Sequence, residues 1–231
     1  MPDMDLRYIL LAGLAIALLV AAFTDIRSRH IGNGLNLGIA LGAPLYWWAS
    51  GLAPWPDMAW QLGVALITFT VLLGVFKFGG IGGGDVKLLT ALALWFPPAL
   101  FFKLIFMASV VGGLMTTVAS LINLKPASGG AGRRFVIYSS AALSVLVLIY
   151  AAWVMMGGAP LDLTGLGQGA AFALFMLVLA YVGAGSIVMA RSQRGKLRIP
   201  YGVAISLGGV WTLAAHLLPL IHHAAQPGSL G

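Results

Sequence analysis

The sequence predicts an all-α fold: a polytopic transmembrane helix bundle of about eight spans, with both termini on the outer side. Three observations predict it. Only 8% of the 231 residues are charged and 60% are hydrophobic, whereas a soluble domain carries about 25% charged residues to solvate its surface. Apolar runs of membrane-crossing length follow one another along almost the whole chain. The basic residues sort to one side when every run is allowed to cross.

The runs fall at about 6–24, 34–52, 58–78, 99–122, 135–157, 166–190 and 201–222, each rich in Leu, Ala, Val, Ile and Gly. A shorter run, about 86–96, stops at Pro97-Pro98 and is marginal for a span. It reads as a short tilted helix or a re-entrant hairpin, and charge decides between them. With the N-terminus outside and all eight runs crossing, eleven of the 13 Lys and Arg residues lie on the inner side, leaving Arg7 and Lys103 outside or near the outer face. If the short run does not cross, the seven basic residues from Lys125 to Arg198 move outside, against the positive-inside tendency.

The net charge of +7 is therefore a topology signal, and no nucleic-acid partner is expected. Cysteine is absent, which excludes disulfides and thiolate metal sites. The opening Met1-Pro2-Asp3-Met4-Asp5 is acidic where a cleaved signal is basic.

Acidic residues narrow the chemistry further. There are six Asp and no Glu, and in this topology only Asp25 and Asp85 lie at the inner face. Asp25 ends the first run, where the helix dipole is already negative and a carboxylate is poorly placed. Its plain structural reading is a surface charge paired with Arg27, Arg29 or His30. Asp85 follows Gly79-Gly80-Ile81-Gly82-Gly83-Gly84, and its plain reading is an N-cap for the short helix. The glycine run lacks the Gly-Lys-Ser/Thr ending of a phosphate loop and misses the dinucleotide spacing. Two carboxylates at one depth on adjacent helix ends share a proton, because both cannot easily ionise. One form then takes a proton from water while its partner protonates the substrate. That is aspartyl protease chemistry, with no metal and no other cofactor.

These residues resemble the type IV prepilin peptidases, the GxGD intramembrane aspartyl proteases. Asp25-Ile-Arg-Ser-Arg-His30-Ile31-Gly32-Asn33 is similar to the family's first motif, with Gly32 where the family has Pro. Gly82-Gly83-Gly84-Asp85-Val86-Lys87-Leu88-Leu89 matches the second, and Pro200-Tyr201-Gly202 a third, weaker one. The resemblance covers about 6–122 and 191–222 and is nearest to the short enzymes of tight-adherence (Flp-type) pilus systems. It implies Asp25 and Asp85 as the catalytic pair, with Gly82, Gly84, Lys87 and Asn33 binding substrate or shaping the loop. It also implies a bacterial inner-membrane enzyme that cleaves the basic leader from a pilin-like precursor at the cytoplasmic face, with membrane lipids as the other partner.

The chain then divides into a transmembrane core at 1–122 with both Asp residues, a flexible cytoplasmic loop at 123–134, C-terminal helices at 135–222 and a disordered tail at 223–231. Lys87 reads as a snorkelling side chain or a modifier of the Asp pair, and His30 as a solvated loop residue. His216, His222 and His223 lack an acidic neighbour and are not expected to hold a metal. Trp47, Trp48, Trp55 and Trp60 read as an interfacial belt. Two other classes fit part of the pattern: a small secondary transporter, and a non-catalytic subunit of a pilus or secretion assembly. The transporter reading requires carboxylates near mid-bilayer and repeated halves, and the sequence has neither.

Overall fold

A computed structural model of the chain describes residues 4–77, 81–124, 130–159, 168–195 and 199–225. Residues 125–129 of the 123–134 loop, the end of the tail, Asp3 and Asp162, and the side chains of His216, His222 and His223 lie outside the described residues. Eight α-helices account for nearly all of those described: α1 (Met4–Ser28), α2 (Asn33–Ala49), α3 (Ala59–Lys77), α4 (Gly83–Trp95), α5 (Pro98–Ile122), α6 (Ala131–Met155), α7 (Gln168–Ala190) and α8 (Tyr201–Ala225). An irregular turn, Pro54–Met58, leads into α3 and is broken by extended backbone at Trp55. Among the described residues, four helical segments are long and apolar enough to cross a membrane: Leu6–Ser28, Pro54–Lys77, Pro98–Ile122 and Ala131–Val154.

The chain forms two compact units. The first comprises Met1–Val111 and Pro200–Gly231, and the second Gly112–Ile199. At the centre of the first lies α4, the shortest helix, 13 residues and about 20 Å long. Most of its side chains are buried, Leu88 and Leu92 completely, and its neighbours are α3, α2 and α8, in a core to which α1 and α5 also contribute. By length alone α4 is marginal for a span, and its burial comes from its neighbours in this unit. Two indoles fix its far end to α2. Trp47 Nε1 donates to the Leu94 carbonyl at 2.8 Å, and Trp95 Nε1 donates to the Ile39 carbonyl at 2.7 Å. The Trp95 ring also stacks on Tyr46.

Trp47 thus departs from the expected belt. It is 5% exposed, while Trp48, Trp55 and Trp60 are 71%, 79% and 66% exposed. Adjacent tryptophans on a helix point about 100° apart, so one of Trp47 and Trp48 turns inward.

In α8, Gly208 lets the helix backbone touch α5. A Cβ there would lie 2.9 Å from both the Ala108 nitrogen and the Leu104 oxygen. In the second unit α6 and α7 pack antiparallel, with Tyr181 Oη 2.6 Å from Ser139 Oγ. The segments after α5 and α7 are clasped by Arg194 N–H to the Asn123 carbonyl (2.9 Å) and Arg194 Nε to the Leu124 carbonyl (2.8 Å).

Candidate active site

Asp25 sits in the last turn of α1 and is 6% exposed. Its helix offers it nothing, because the carbonyls that end α1 present a partial negative charge. Compensation comes from α8. The first amides of a helix have no intrahelical acceptor, and those of Gly202 and Val203 face the Asp25 carboxylate. Gly202 permits the approach: a Cβ there would lie 2.8 Å from Asp25 Oδ2 and 2.6 Å from Ile31 Cδ1. Of the three expected basic neighbours, Arg29 is the one whose charge acts on Asp25. Oδ2 itself is buried and has no hydrogen-bond partner among the described residues.

Asp85 lies in the first turn of α4, but not as the N-cap. That position belongs to Gly82, with φ −76° and ψ 145°, and Asp85 is the third residue inside the helix. Its carboxylate turns back to accept from the Gly82 N–H, the arrangement an acidic side chain makes in a capping box. A Cβ on Gly82 would lie 2.9 Å from Asp85 Oδ2, so only glycine fits under the carboxylate. Asp85 lies ahead of the apolar run and outside the long apolar helices. Burial, and then the charge of Asp25, push its pKa to about 6, with the Gly82 N–H opposing.

The first turn of α2 grips the first turn of α4. Lys87 Nζ donates to Asn33 Oδ1 at 2.7 Å, joining two residues that the motifs singled out separately. Asn36, 4% exposed, reaches the Gly84 carbonyl with Nδ2 at 3.4 Å. Gly32, which stands where the resembling family has Pro, is the N-cap of α2 with φ −61°. A proline ring imposes that same φ, so the backbone keeps the path without the ring.

Asp25 and Asp85 open into one pocket of about 180 Å³, lined also by Arg29, His30, Ile31 and the three glycines 82–84. Among the described residues no three His, Cys, Asp or Glu side chains cluster as metal ligands. What the pocket holds is a pair of carboxylates, one of them retaining its proton into mildly acidic solution, with bare backbone beside them.

Residues 12–117 match the type IV leader peptidase family. The matched segment carries both pocket aspartates and spans just under half of the 231 residues. No curated protein and no solved structure matched the chain. Gly202 and Val203 lie beyond the matched segment and enter the site through geometry alone. Sequence reasoning gave Val203, Ile31 and Asn36 no role, since a backbone amide and a spacer leave no signature of residue type. The Pro200-Tyr201-Gly202 string was the available signal for the first of these.

Proposed function

We propose that the protein is a prepilin leader peptidase, an aspartic endopeptidase of the GxGD type, in the bacterial inner membrane. It removes the basic leader from a pilin-like precursor at the cytoplasmic face. One observation carries the reading: Asp25 and Asp85, sixty positions apart, share one pocket. The leader peptidase match over 12–117 supports the reaction class. The chain crosses the membrane eight times with both termini outside, α4 included, and the aspartates sit at the inner rim.

The pair holds one proton, and burial favours placing it on Asp85. In this scheme Asp25 is the base. The precursor lies extended along the glycine backbone of 82–84. Asp25 takes a proton from water as the water oxygen bonds to the scissile carbonyl carbon. Asp85 gives its proton to the carbonyl oxygen. Collapse of the tetrahedral species breaks the C–N bond, the leaving nitrogen takes the proton held by Asp25, and Asp85 recovers its own. Peptide and water become a carboxyl and an amine, with no cofactor.

The test is a cleavage assay with purified protein in lipid and a precursor carrying a basic leader ahead of an apolar helix. The wild type cleaves it. Asp25→Asn and Asp85→Asn each abolish cleavage while inserting normally, and strong chelators leave the wild-type rate unchanged. Cleavage by either Asn variant rules the mechanism out. A wild type that never cleaves leaves the transporter or assembly-subunit reading.

A further inference from the structure

Ile31 touches both halves of the site. It is 2% exposed, on the short connection between α1 and α2. A Cβ on Gly84 would lie 3.4 Å from its Cβ, and a Cβ on Gly202 only 2.6 Å from its Cδ1. The first of these glycines immediately precedes Asp85, and the second presents its amide to Asp25. The backbone of Arg29 has φ 54°, a left-handed conformation that L-residues seldom adopt. It reverses the chain after α1, and the connection returns Ile31 over the carboxylates.

We infer that Ile31 is a positioning residue: its side chain is wedged between the first turns of α4 and α8 and sets the separation of Asp85 from Asp25. Asp25 is tied to α8 through the Gly202 and Val203 amides, and Asp85 to α4 through Gly82. The spacing of the two helix starts is therefore the spacing of the two acids. The side chain that separates the starts has glycine on both flanks, so its own width decides the distance. A carboxylate pair is sensitive to that distance, because their mutual repulsion sets how far apart the two protonation steps lie.

The inference rests on the reading of these acids as the reacting pair, and two experiments keep the failures apart. The first needs no catalysis. The chain contains no cysteine, so an Asp25→Cys, Asp85→Cys protein reports their separation through cross-linking by a short bismaleimide. Adding Ile31→Ala speeds cross-linking, because the helix starts close in, and adding Ile31→Phe slows it. Equal rates in all three overturn the inference, whatever the protein cleaves.

The second experiment uses the native aspartates. Ile31→Ala lowers kcat by roughly tenfold to a hundredfold, changes KM little, and moves the two limbs of the pH profile relative to each other. Ile31→Val, which keeps Cβ against Gly84 and loses Cδ1, falls between it and the wild type. A reduced kcat with an unmoved pH profile, or one matched by an equal loss of folded protein, marks Ile31 as packing only and overturns the inference. Failure of the wild type to cleave, with the cross-linking order as expected, instead removes the proposed activity.

Discussion

A single carboxyl carries the pH behaviour of the site. With its pKa raised to about 6, Asp85 keeps its proton in mildly acidic solution and loses it as pH rises through that value. On the proposed mechanism the active form of the pair holds one proton, so cleavage should fall on the alkaline side near pH 6 and again at lower pH when the second proton binds. A rate profile measured in lipid checks both limbs, whose midpoints belong to the pair. The same shift carries a stability cost with a definite sign. A carboxyl whose folded pKa lies above its unfolded value destabilises the fold once pH exceeds the unfolded value, and the cost levels off above the folded one. Asp85→Asn should therefore stabilise the protein at pH 7.5 and have little effect at pH 4. Thermal unfolding at the two pH values measures the difference. Asp25 and Asp85 were legible as a pair because they are the two acids that charge parity leaves on one face. Asp85's place inside the helix was not, because an N-cap and a third helical residue differ by a turn of backbone that composition does not record.

Helix ends, more than helix bodies, build this site. The C-terminus of α1 and the N-termini of α2, α4 and α8 converge on it, each supplying groups that a helix interior would already have used. The connection from α1 to α2 holds one of the two departures from the resembling family, the other being the extra helices within 123–190. Gly32 already has the φ of proline, and no atom lies within 4 Å of where its Cβ would stand. Gly32→Pro should preserve cleavage and raise stability by about 0.4–1 kcal/mol by restricting the unfolded chain; loss of the fold would show that this turn has another requirement. Helix limits were readable to within a few residues, since an apolar run and its Gly or Pro punctuation both respond to backbone hydrogen bonding. The inward turn of Trp47 was hidden, because an indole beside three others in sequence looks like any member of a belt until a carbonyl such as that of Leu94 is found for its N–H.

For the whole molecule, the membrane arrangement proposed from charge can be tested with the same cysteine-free background. Ser28, Asp57 and Arg133 are all exposed, and each can be changed singly to cysteine. Ser28→Cys and Arg133→Cys should react with a membrane-impermeant thiol reagent from the cytoplasmic side only, and Asp57→Cys from the outside only. Arg133→Cys is the decisive one. Labelling from outside means that α4 does not cross and that the count of eight is wrong. Parity made this reading available from composition, whereas the contact between α1 and α8 was out of reach, because two apolar helices far apart in the chain carry no mark of being neighbours. That contact has a consequence for how the protein is made. Asp25 leaves the ribosome well before Gly202 and Val203, whose amides face it. A nascent chain halted before α8 therefore has both acids but lacks the two amides that face Asp25, and on the mechanism proposed above it should not cleave until α8 is in place.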